Sequence, residues 1–179
     1  MNGHRGRHDG QGETGATLLE TMVTVTIAAL LLALGVPGFI DFTRDVRRDG
    51  QVGDIVVALN YARSEAIRRG LHVTACPSAD AGQCNGDTRW ETGWIVFVDA
   101  NSNGAVDGGE AVLRSRQAAP DGLTLRGAKQ RLTYQSNGFS PGYNDTLRVC
   151  DPRGTNSSRR VIISNAGRVR VKNTAAVCP

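Results

Sequence analysis

The chain has 179 residues, room for one hydrophobic core and an anchor or tail but not for a multidomain assembly. Hydrophobic residues make up 40% of it, which excludes disorder throughout, while 22 Gly against 2 Trp, 3 Tyr and 4 Phe favour short strands and turns over a helical bundle. The formal charge of +4 conceals an asymmetry: residues 1–110 carry nine basic and fourteen acidic side chains, residues 111–179 twelve basic and three acidic.

Residues 1–15 read as a polar leader with Arg5, Arg7, Asp9 and Glu13 and no apolar surface to bury. Residues 16–40, ATLLETMVTVTIAALLLALGVPGFI, hold one charge, Glu20. As a helix this segment reaches roughly 37 Å, enough for a hydrocarbon core of about 30 Å. It is longer than the apolar run of a cleaved secretory signal, so a transmembrane helix is expected. Glu20 inside it costs a few kcal/mol unless it finds a partner. Arg5 and Arg7 lie before the segment and Arg44, Arg47 and Arg48 after it, so loop charge does not fix its orientation.

Over residues 41–70 the helix is expected to continue in amphipathic form, because Val52, Ile55, Val56, Leu59, Ala62, Ala66 and Ile67 recur at spacings of three and four. Gly70 is the expected cap. From residue 71 to residue 179 the period changes, with short apolar segments near 71–76, 94–99, 111–115, 123–126, 131–135, 146–150, 160–164 and 168–172 separated by turn residues. The expected fold class is α+β, a long N-terminal helix whose outer half packs on a head of one or two antiparallel sheets.

The four cysteines, Cys76, Cys84, Cys150 and Cys178, all lie in the head. Four cysteines permit three connectivities. The nearest-neighbour pairing is the expectation, since its two loops contribute roughly 2.6 and 3.6 kcal/mol on the chain-entropy description. Such bridges persist in an oxidising compartment. A zinc site is disfavoured, with no CxxC pair and His72 as the one head histidine.

Residues 99–110, DANSNGAVDGGE, match the calcium-loop pattern through Asp99, Asn101, Asn103, Gly104, Asp107 and Glu110, with the Ala105 carbonyl available as a further oxygen. Strand-like GWIVFV before it and AVLRS after it are wrong for an EF-hand. The competing reading is a polar hairpin turn whose Asn and Gly serve the backbone.

The basic C-terminal region holds Arg148, Arg153, Arg159, Arg160, Arg168, Arg170 and Lys172 against Asp145 and Asp151. In GRVRVK the three cations alternate with Val169 and Val171, so on a strand they share one face and the valines enter the core. Arg148, Arg159, Arg160, Arg168, Arg170 and Lys172 are the candidate contacts for a phosphate backbone, bound without sequence preference and weakened by salt. Tyr134, Phe139 and Tyr143 are the few aromatics nearby, so a duplex is the expected form rather than stacked single strands. No catalytic constellation is visible in the sequence, and an enzyme is not expected.

Gly15 followed by Ala16, Thr17, Leu18, Leu19 and Glu20 resembles the prepilin processing site of type IV pilins and type II secretion pseudopilins. The resemblance implies that a prepilin peptidase cuts between Gly15 and Ala16 and methylates the new amine, and that Glu20 pairs with that amine of a neighbouring subunit during assembly. Pro37 stands where many members carry a helix-bending proline; Ala16 departs from the usual Phe. Further along, ARSEAIRRG, CPS, GWIVFVDANSNGAVDGGEAVLR and the final GRVR resemble the GspH and FimT group of minor pilins and pseudopilins, over essentially the whole chain after the leader. This implies the type IV pilin-like fold, an inner-membrane anchor with the head in the periplasm, other pilins or pseudopilins as partners, and no cofactor beyond the calcium candidate. In the FimT proteins a GRxR motif is implicated in DNA capture, and Gly167, Arg168, Val169 and Arg170 fit it. The resemblance leaves three readings: a DNA-binding minor pilin, a GspH-like pseudopilin of type II secretion, and a calcium-stabilised structural fibre subunit.

Overall fold

A computed structural model describes residues 15–119, 122–175 and 177–178. The chain forms two compact units, Met1–Asp41 and Phe42–Pro179. The expected leader, apart from Gly15, lies outside the described residues.

Helix α1 runs Leu18–Arg69. Thr17 starts it: its Oγ1 accepts the Glu20 N–H at 3.2 Å, half of a Thr-x-x-Glu capping box. Pro37 lies within the helix without ending it. Up to Ile40 the large apolar side chains are exposed, Leu34 to 81%, which no core helix shows. The helix is long and apolar enough to cross a membrane. In the second unit the same helix is half-buried through Val52, Ile55, Ala58, Leu59, Ala62 and Ala66, and Gly70 closes it at φ +69° with its N–H on the Ala66 carbonyl at 3.0 Å.

Eight strands follow: β1 Val73–Pro77, β2 Gly93–Val98, β3 Val112–Gln117, β4 Thr124–Arg126, β5 Leu132–Tyr134, β6 Asp145–Cys150, β7 Arg159–Ile163 and β8 Val169–Lys172. They form two antiparallel four-stranded sheets, ordered β3-β2-β1-β5 and β4-β6-β7-β8. Alternate residues of both sheets, among them Val73, Ala75, Val96, Leu132, Leu147, Val149, Val161 and Ile163, join the buried helix face in one core. Each fully buried Ile or Leu there contributes about 1.5–3 kcal/mol.

The first sheet is buried on its other face too. Cys76, Ile95 and Phe97 form a second small cluster, closed by Ala81, Cys84 and Val106 from two loops. The structure pairs Cys76 with Cys84 and Cys150 with Cys178.

Candidate nucleic-acid interface

Strand register places the C-terminal cations. Leu147, Val149, Val161 and Ile163 point into the core, so their neighbours Arg148, Arg160 and Ile162 stand on the outer face of the second sheet. Arg148 is the register partner of Arg160, and Arg160 of Lys172. Arg126 on β4 continues the line beyond Arg148. At strand spacings near 4.8 Å the row from Arg126 to Lys172 covers about 14 Å. Like charges directly opposite each other destabilise a sheet. Among the described residues none of Arg148, Arg160, Arg168, Arg170 and Lys172 has an ion pair, whereas Arg116 pairs with Asp54, Arg89 with Asp87 and Arg126 with Glu91.

Arg170 is the register partner of Ile162 and lies on the same outer face, while Arg168 precedes β8 in the turn from β7. The turn is closed by the Gly167 N–H on the Ser164 carbonyl at 2.8 Å and the Ser164 N–H on the Arg168 carbonyl at 3.0 Å. Gly167 has φ +73° and lies against the Gly138 carbonyl, so a Cβ there has no room. The Ser140 N–H donates to the Asn165 carbonyl at 2.8 Å and holds the two turns together. The glycine of GRVR therefore fixes the position from which Arg168 projects. One expectation is corrected. Val169 packs on the core, but Val171, on the edge strand β8, stays 44% exposed.

Arg159 departs from the expected set. It is the register partner of buried Val149 and therefore lies on the inner face, with its Nε 3.4 Å from Asp49 Oδ1 on α1. It belongs to a cluster that fastens the 151–159 segment to the helix. Arg48, 2% exposed, donates to the Ser157 carbonyl at 2.7 Å and pairs with Asp45 and Asp49, and Arg153 bridges Asp151 and Asp45. The Arg153 hydrogen bond, with Arg48 beside it, holds the Asp45 carboxyl below its ordinary range. Burial pushes Asp151 up, and the hydrogen bonds from Arg153 outweigh it, leaving the carboxyl lowered. These charges are satisfied within the protein.

The loop matching a calcium pattern closes on itself. Asp99, 1% exposed, accepts from the Thr74 hydroxyl at 2.6 Å and from the Gly104 N–H. The amides of Asn101 and Asn103 donate to Asp107 Oδ2, and this lowers the Asp107 pKa. Glu110 accepts the backbone N–H groups of Ala100 and Asp107, and the Asn103 side chain accepts from the Ala105 N–H. The oxygens expected to converge on a cation instead meet N–H and O–H donors, an arrangement that does not fit calcium. Among the described residues no group of three or more His, Cys, Asp and Glu side chains is placed to hold a metal. The loop serves the fold: Val106 caps the second cluster and its carbonyl accepts from Gln83 Nε2 at 3.0 Å.

Sequence reasoning missed Arg126, since only strand pairing aligns it with Arg148. It also missed the course of the C-terminal segment. Cys150 lies on the outer face, and its bridge to Cys178 brings that segment back to the cation row, where an Arg160 terminal nitrogen donates to the Ala175 carbonyl.

Comparison with known proteins agrees with this architecture. Two crystal structures of the type IV minor pilin FimU of Pseudomonas aeruginosa (strain PAO1) superpose with TM-scores of 0.53 and 0.56, both at 24% identity. They cover 69% and 73% of this chain and 91% and 92% of theirs, and show a shared fold. No curated protein matches. Residues 51–167 match the family described as type II transport protein GspH. That span takes in the outer half of α1, all seven strands from β1 to β7 and the Gly167 turn, and the chain belongs to this family of structural pilins and pseudopilins.

Proposed function

We propose that the chain is the precursor of a type IV pilus minor pilin that binds duplex DNA, without sequence preference, through the outer face of its second sheet. One observation carries the reading: Arg148, Arg160 and Lys172 stand side by side in register with Arg168 and Arg170 next to them, and none has a carboxylate partner among the described residues. A sheet that accepts this repulsion gains from an external polyanion what it lacks internally. The salt-bridged arginines elsewhere in the head, Arg89, Arg116 and Arg153, show that the chain does supply carboxylates where charge serves the fold.

The N-terminal segment fits the same reading. Peptidase cleavage after Gly15 leaves Ala16 as the new terminus, two residues before α1 begins, and Glu20 one turn into an exposed apolar helix. In a bilayer a neighbouring subunit's terminal amine would neutralise that carboxylate, and the loss of the pair would cost more than an exposed ion pair does. The anchor then lies in the inner membrane and the head in the periplasm until the subunit enters a filament.

The family description favours a second reading, a pseudopilin of type II secretion whose head contacts other subunits or cargo. Fluorescence anisotropy with the full chain in neutral detergent and labelled duplexes of unrelated sequence separates the two. Micromolar binding at low salt, equal for all sequences, supports the pilin reading; no binding at low salt leaves the secretion reading.

A further inference from the structure

Beside the cation row lies an open hollow of about 350 Å³ lined by Arg126, Gly127, Arg148, Val177 and Cys178. Resting on the DNA-binding reading above, we infer that this hollow is a fixed phosphate subsite, gripped by Arg126 and Arg148 and kept in shape by the Cys150–Cys178 bridge.

The two arginines are register partners on β4 and β6, so their Cβ atoms lie about 5 Å apart, and both residues line the hollow. They are held differently. Arg126 donates its Nε to Glu91 Oε1 at 2.7 Å, and the other oxygen of Glu91 accepts the Leu125 N–H at 3.3 Å. Glu91 therefore fixes the base of the Arg126 fork, and among the described residues its two terminal nitrogens have no hydrogen-bond partner. Arg148 has no carboxylate among the described residues and is exposed. A phosphodiester presents two unesterified oxygens and one negative charge. Set between two guanidinium groups, it takes a hydrogen bond from each and removes their repulsion. A lone ammonium such as that of Lys172 offers no such fork.

The opposite wall comes from the C-terminal segment. Cys150 follows Arg148 by two positions on the same face, and the bridge to Cys178 seats Val177 and Cys178 at the rim of the hollow. The hydrogen bond from Arg160 to the Ala175 carbonyl is a second tie across the face. Val177 is 80% exposed and buries too little to hold the segment by itself. The disulfide therefore acts as a latch that confines the Arg148 side chain to the hollow.

The test uses the full chain in neutral detergent and a labelled duplex titrated over a salt series. Arg126→Gln and Arg148→Gln are each expected to lower the slope of log Kd against log salt by about 0.9, the loss of one phosphate contact. Arg148→Lys is expected to keep the slope. Cys150→Ser combined with Cys178→Ser is expected to reduce the slope as Arg148→Gln does; should that variant fail to fold by circular dichroism, the arginine variants decide alone. Wild-type binding with unchanged slopes in both Gln variants overturns the subsite and leaves the DNA reading standing. Absence of wild-type binding overturns both.

Discussion

Arg148 on β6 faces Arg160 on β7 directly across the strand pair, with Lys172 next in line on β8 and no carboxylate between them among the described residues. Opposed like charges cost about 0.2–1 kcal/mol. Arg148→Thr keeps a strand-forming residue and removes the repulsion. The urea midpoint of this variant should rise while its affinity for duplex DNA falls. A lower midpoint would show that the row is not under electrostatic strain.

Gly167 combines a left-handed backbone with contact against the Gly138 carbonyl, whereas Gly142, at φ +77°, has open space around it. Gly142→Ala should therefore carry the torsional penalty alone, about 1 kcal/mol. Gly167→Ala should cost at least about 2 kcal/mol and weaken DNA binding without any change of charge, because Arg168 moves with the turn. Thermal unfolding of the two variants side by side checks this, and equal shifts would remove the close-approach argument.

Acid should loosen the head. The paired guanidinium groups of Arg68 and Arg69 hold Glu65 down to about 2, and Arg153 holds Asp45 and Asp151 below their ordinary values. A lowered folded-state pKa gives stability that is complete above the unfolded value and lost as pH falls through the folded one. The unfolding midpoint should stay flat from pH 7 to about 5 and decline between about 4.5 and 2. Arg153→Gln should make that decline shallower, since it releases Asp45 and Asp151. A decline beginning above pH 6 would point to other groups.

The 99–110 loop is satisfied by its own donors, so millimolar calcium or a chelator should leave the unfolding midpoint unchanged. Asp99→Ala, by contrast, should destabilise by about 1–3 kcal/mol, because the Thr74 hydroxyl and the Gly104 N–H lose a buried acceptor. A rise in midpoint with calcium would restore the metal reading.

Much of the fold is legible in the sequence, for identifiable reasons. The apolar run to Ile40 with Glu20 as its one charge, the three-and-four spacing from Val52 to Ala66 and the short apolar segments between turn residues are local patterns, and helix and strands stand within a few residues of where those patterns put them. The order of strands is not local. Nothing near Arg126 announces that β4 pairs with β6, and nothing near Arg159 announces that it faces Asp49 while its neighbour Arg160 faces outward. A one-residue step in register decides between those two fates. Trp90 is buried although it sits in a three-residue helical turn with no periodic neighbours. The 99–110 motif is ambiguous in sequence for a related reason: oxygen-rich side chains at alternate positions suit a cation and a self-bonded turn equally.

On the DNA-binding reading, the cations at and around the last strand serve a polyanion. The salt dependence of duplex binding by the full chain tests it most directly, comparing wild type with Arg168→Ala plus Arg170→Ala. A linear fall of log affinity with log salt is expected, with a slope smaller by about 1.8 in the double variant, two phosphate contacts at about 0.9 each. Wild type and double variant binding with the same slope, or wild type failing to bind at low salt, would contradict it.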